Sequence, residues 1–191
     1  MPVRVVGPKD STRPDEVVIN TTSRSTTWSR GLSPFFIGPI PLYEGAASSH
    51  AHNMENAWQF SKVYPWQVDH EGNPTPSYFT WAKEGWENTR AVRYPMGKGV
   101  KPSFSWWAGE KLPYVEARRR IYLPLYAKGV AQTAAFKQLL ELYKGSGQVT
   151  LWDFDGYDHT ALGMTMKDVV NNPDRSMGHA FIIAHLLESL A

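Results

Sequence analysis

Of the 191 residues, the ten from Asn53 to Lys62 (Asn-Met-Glu-Asn-Ala-Trp-Gln-Phe-Ser-Lys) hold the groups best suited to covalent chemistry: a carboxylate, a side-chain amide and a primary amine. The spacing predicts a helix from Met54 to Val63 with Asn53 as its N-cap. On that helix Glu55, Gln59 and Lys62 fall at i, i+4 and i+7, within about 60° of one another, while Met54, Ala57 and Phe60 lie on the other side. An amine and a carboxyl sharing one face can act as nucleophile and acid–base group once water is stripped from them. Desolvation favours the neutral amine and raises the carboxyl's hold on its proton. A Pro- and aromatic-rich segment before the helix and a Trp-rich one after it could do the stripping. The spacing by itself also fits a solvated stripe on an amphipathic helix.

A second polar cluster is Trp152-Asp153-Phe154-Asp155-Gly156, at the end of an apolar run from Val149. Asp153 and Asp155 could hold sugar hydroxyls or a calcium ion, or could simply mark a strand end and a polar turn. Ser176 and His179 open the final apolar run, and backbone N–H groups of a first helical turn there could receive an anion. Six histidines offer no metal-binding spacing. His179 and His185, six apart, face different sides of one helix. Arg93 and Arg118 would suit phosphates, although the run Arg118 to Arg120 also fits a solvated helix face. Trp107 is a candidate for stacking on a base, while most other tryptophans must be core.

The first segment resembles the NADAR proteins, a family associated with NAD and ADP-ribose. Glu55, Gln59 and Lys62 match that family's Glu, Gln and Lys without a gap. Leu32-Ser33-Pro34-Phe35-Phe36 is similar to its opening strand, and Ile40 to Gly45 to the short apolar segment that follows. Ala117 to Lys128, Leu139-Leu140, Gly145 and Val149 to Asp153 keep the family's later order, and Ser176 to His179 leading to Leu186-Leu187 looks like its last turn and helix. The chain departs from the pattern at Gly156-Tyr157, where the family has Trp-Gly, and at the last-turn Asn, replaced by Ser176 or His179. The segment between Trp66 and Trp107 is also longer.

The resemblance implies an α+β fold with a small sheet and a helical body, and an N-glycosidase that acts on ribosylated amines. Lys62 would attack the anomeric carbon and Glu55 would handle protons. Ser33, Phe35, Asn56, Gln59, Arg93, Trp107, Arg118, Asp153, Asp155, Ser176 and His179 would bind the substrate, a small nucleotide or an ADP-ribosylated molecule. Nucleic acid would enter only as a modified substrate, and no cofactor or metal is expected. A nucleotide-binding module that keeps the pocket without turnover is the alternative. Taken alone, Asp153-Phe154-Asp155-Gly156 also resembles the first motif of haloacid dehalogenase phosphatases. That motif belongs near the start of its fold, and only 36 residues follow Asp155 here.

These groups need elements to hold them. The pattern predicts a short strand at Glu16–Ile19, an extended edge segment from Leu32 to Tyr43 and a loop from Gly45 to His52. Residues 64–113 read as ordered loop with short helices. Residues 114–143 read as helix broken near Pro124, followed by a strand at Gln148–Phe154 and a core helix from Ser176. The length supports one domain over 1–191, with residues 1–15 loose. With 42% hydrophobic and 20% charged residues the composition is globular. The absence of cysteine excludes disulfides and a thiol nucleophile. A net charge of +2 is too small to indicate nucleic-acid binding, although Lys83 to Lys128 carries ten bases against four acids, which suits anionic groups. No apolar run is long enough to span a membrane, and none at the N-terminus forms a signal peptide, so the cytoplasm is the expected location.

Overall fold

The computed structural model describes residues 2–191. In chain order the elements are β1 (Arg4–Val6), β2 (Val18–Asn20), β3 (Ile40–Pro41), β4 (His50–Ala51), α1 (Met54–Gln59), β5 (Lys62–Val63), α2 (Pro76–Glu87), β6 (Phe104–Trp107) and β7 (Glu110–Leu112). Next come α3 (Tyr114–Ala117), a π-turn at Arg118–Tyr122, α4 (Leu123–Ala131), α5 (Ala134–Ser146), β8 (Thr150–Trp152), α6 (Met166–Asn171) and α7 (His179–Leu190). The class is α+β, as expected: among the described residues, short strands in small sheets stand beside seven α-helices. Among the described residues no helix is long and apolar enough to cross a membrane. The chain divides into two compact units, residues 1–36 with 126–191 and residues 37–125.

In the discontinuous unit the sheet order is β1-β8-β2, all parallel, with Val5 and Ile19 flanking Leu151. Helix α7 covers it, and its residues from Ala180 to Ala184 are almost wholly buried, which matches the expected core helix. Helix α5 buries Ala135, Phe136, Leu139 and Tyr143, one stripe at helical spacing. Thr133 caps its start, and Gly147 ends it at φ 70°, a left-handed position suited to glycine. The α5 stripe rests on a 3-10 turn at Trp28–Leu32. There a Cβ on Gly31 would come within 3.0 Å of the Ala135 Cβ.

Part of the stretch expected to be loose is packed. Val3, Val5 and Val6 are buried, and the Arg4 guanidinium bonds both oxygens of Glu16 at 2.8 Å and Asp158 at 2.7 Å. The predicted extended segment Leu32 to Tyr43 holds a turn at Pro34–Phe36 and then irregular chain, with only Ile40–Pro41 in a strand. Prolines at 34, 39 and 41 remove the N–H groups a longer ladder would need.

In the 37–125 unit, β5-β6-β7 form an antiparallel sheet with Lys62 opposite Ser105, and β3 pairs with β4. Helix α2 stands where the sequence suggested mainly loop. Thr75 caps it by accepting from Tyr78 N, and Pro76 takes the first position, where its missing N–H costs nothing. Helix α2 meets Phe60 closely: a Cβ on Gly85 would lie 2.0 Å from the Phe60 ring. The Tyr78 hydroxyl donates to the Phe60 carbonyl at 2.8 Å.

Candidate active site

Asn53 caps α1 as expected, its side chain accepting from Asn56 N at 2.8 Å. The helix ends earlier than the spacing predicted, so Lys62 lies in β5 rather than on α1. Continuing the helix would require the Trp58 carbonyl to accept from Lys62 N. The Ser61 hydroxyl takes that carbonyl instead, at 2.7 Å. The Ser61 and Val63 carbonyls accept from Trp106 N and Ser103 N, which draws this stretch into the sheet.

The three polar groups nevertheless converge. Gln59 Nε2 donates to Glu55 Oε1 at 3.0 Å, and Lys62 Nζ donates to Gln59 Oε1 at 2.9 Å. Glu55 is 7% exposed and Gln59 8%, so the solvated-stripe reading does not describe this face. The Lys62 nitrogen also sits 5.3 Å from the centre of the Trp58 ring. Trp58 in turn meets Tyr122 edge-on at 5.3 Å. Burial lowers the proton affinity of the Lys62 amine, and the Glu55 charge opposes that in part. Tyr122 belongs to the π-turn, a helix irregularity frequent at functional sites.

Asn56, expected to bind substrate, is fully buried and committed elsewhere. Its amide donates to the carbonyls of Asn88 and Arg90 and accepts from Val92 N, so it holds the 88–92 loop. Arg118 is buried in the π-turn with its guanidinium over the Tyr114 ring at 4.5 Å. Arg93 lies over Tyr94 at 5.2 Å, and Trp107 meets Tyr43 edge-on at 4.9 Å.

In the other unit Asp153 and His179 come together, but as an internal cap. Asp153 Oδ2 accepts from Ala180 N at 3.1 Å and lies 3.2 Å from His179 Nδ1. His179 Nε2 lies 2.8 Å from the Thr21 carbonyl, and Asp155 N donates to Asp153 Oδ1 at 3.4 Å. The anion expected at the start of α7 is therefore the chain's own Asp153, which with His179 is spent on structure. Helix α7 starts at His179 rather than Ser176, and Ser176 is exposed. Ser33 is buried with its hydroxyl accepting from Phe35 N at 3.2 Å, and Phe35 is half-buried.

The sequence reading missed the use of Trp58 as a surface for the Lys62 nitrogen, although the four-residue interval between them was a usable signal. It missed Tyr122 altogether, and no local pattern brings residue 122 to residue 58. Among the described residues no group of three or more His, Asp or Glu side chains is placed to hold a metal ion.

Residues 9–183 match the model of a family of unknown function, DUF6939, and the chain belongs to that family. No curated protein and no solved structure matches the chain.

Proposed function

We propose that this member of a family without an assigned activity is an N-glycosidase that releases a ribose phosphate or ADP-ribose from an amine or nucleobase. The observation that carries the reading is the Glu55···Gln59···Lys62 chain, with Glu55 and Gln59 buried and Lys62 half-buried, in which burial lowers the proton affinity of the Lys62 amine. The spacing singles out these three side chains, and two hydrogen bonds link them.

Neutral Lys62 attacks the anomeric carbon, and the bond from that carbon to the leaving nitrogen breaks. Glu55 in its acid form gives that nitrogen a proton. The attached Lys62 nitrogen passes one of its protons to the ring oxygen as the bond from that oxygen to the anomeric carbon breaks, leaving a protonated imine, and the Glu55 carboxylate takes a proton from water as the water adds to the imine carbon. Loss of the amine then returns the free sugar and Lys62. Water is the only co-reactant and no cofactor is called on. A cytoplasmic setting, where nucleotides are abundant, goes with this reading.

Borohydride trapping during turnover of ribosylated amines or ADP-ribosylated guanine tests it. The intact protein should gain the mass of the reduced sugar, the adduct should map to Lys62, and Lys62→Arg, which keeps the charge but cannot form an imine, should abolish it. Binding of ADP-ribose without cleavage or adduct would instead identify a nucleotide-binding module. An adduct on another lysine would remove Lys62 from the mechanism.

A further inference from the structure

Gln59 has the sequence position of a substrate ligand, but its amide is already engaged at both ends. Lys62 Nζ can only donate, so the atom it meets at 2.9 Å must be the amide oxygen. The Glu55 oxygen at 3.0 Å then faces the amide nitrogen. The two neighbours fix the orientation of the amide, and Gln59 at 8% exposure has little surface for a ligand.

We infer that Gln59 is a positioning residue: its side-chain amide spaces Glu55 from Lys62 and orients the amine. The effect of Gln59 on turnover rests on the glycosidase reading; the spacing and orientation stand on the two hydrogen bonds.

The physical consequence is specific. A neutral amine has two N–H groups and one lone pair. Donating one N–H to Gln59 Oε1 confines the lone pair to directions away from the amide, which is where an electrophile must approach. The Trp58 ring, 5.3 Å from the nitrogen, restrains it from a second side and favours the charged form. A neutral amide at this position lets an acid and an amine sit side by side without closing into a direct ion pair, which would keep the amine protonated. A carboxylate in place of the amide would do what the amide avoids, because an adjacent negative charge stabilises the ammonium form.

Two variants test this by the labelling rate of Lys62 with an acylating reagent across a pH series, read by peptide mass spectrometry, with circular dichroism as the check on folding. Gln59→Glu should slow labelling near pH 8 roughly tenfold, because less of the amine is neutral. Gln59→Met, similar in length and apolar, removes the acceptor while keeping the burial, so its labelling midpoint should move to lower pH. Folded variants that label like the wild type would overturn the assignment.

Where turnover is measured, a positioning role lowers kcat roughly 100-fold in Gln59→Met with KM little changed. A substrate ligand would raise KM at constant kcat, and that result would also overturn the inference. If labelling shifts as expected while no sugar is ever released, the glycosidase reading fails and the role of Gln59 in setting the amine survives. If glycosidase activity is found and Gln59 variants alter neither labelling nor kcat, the reverse holds.

Discussion

Two opposing effects act on the Lys62 amine, and their balance can be measured. Burial lowers its proton affinity, and the negative charge of Glu55 raises it by a smaller amount. Removing that charge while keeping the shape, as Glu55→Gln does, should therefore push the labelling midpoint of Lys62 to still lower pH. An unchanged midpoint would mean that Glu55 does not act on Lys62. The same variant should lose most turnover, by a factor on the order of 100 to 10,000, since the carboxyl supplies and removes the protons. The wild-type turnover profile should be bell-shaped, because the amine must be neutral and an acid must be protonated in the same enzyme form. A single-limbed profile would argue against two titrating groups. Activity should also survive EDTA, because amine and carboxyl do the chemistry. Loss that magnesium restores would bring the acidic segment at Asp153 and Asp155 back into the mechanism.

Among the elements, α7 depends on a distant residue for its start. Asp153, at the end of β8, bonds Ala180 N and faces His179, and a Cβ on Gly178 would lie 2.2 Å from that carboxylate. Asp153→Ala should cost about 2 kcal/mol in urea unfolding through the lost cap and the exposed helix end. A smaller loss than a few tenths would show the cap to be idle. Such dependence explains what the sequence could and could not reveal. The cap at Asn53, the shared face of Glu55 and Gln59, and the apolar run of α7 follow from local spacing and were legible. The displacement of Lys62 into β5 was not, because it is decided by β6, some 40 residues away in sequence. Short helices were expected between residues 64 and 113, but the place and length of α2 were not legible because Pro76 and Gly85 suggest loop, although Thr75 followed by proline is a helix start and Gly85 makes room for the Phe60 ring. The strand β1 has only three residues and is defined by its pairing to β8, about 146 positions later, which no local window contains.

That long-range pairing gives the molecule a particular sensitivity to acid. The sheet β1-β8-β2 joins the first residues of the chain to the last third, and Arg4 sits at the junction, bonded to Glu16, Asp158 and the Ser11 carbonyl. Burial opposes ionisation of Glu16, but hydrogen bonds from Thr150, Arg13 N and Arg4 outweigh it and hold its proton affinity below the ordinary carboxylate range. Asp158 is likewise opposed by burial and brought down by Arg4, Thr160 and Ala161 N. Groups depressed in the folded state contribute stability above their unfolded values, near 4, and that stability is lost as pH falls through the folded ones.

His159 adds an earlier step. It is buried beside Phe181, and burial lowers its proton affinity although Glu188 and Asp158 oppose this. The fold therefore favours the neutral ring, and stability begins to fall once pH drops below about 6.5, where the unfolded ring takes up its proton. Urea titrations at several pH values should show unfolding free energy flat near neutrality, declining from about pH 6.5 and declining again below about pH 4. Each step has its own variant. His159→Phe should remove the first decline and keep the second. Arg4→Met should lower stability at pH 7 by about 2 kcal/mol, for the lost charge-assisted bonds, and flatten the second decline because the two carboxylates no longer prefer ionisation in the fold. Retention of the full acid slope in Arg4→Met would place the sensitive groups elsewhere, and would mean that the Arg4 cluster does not hold the chain's beginning to its last strand.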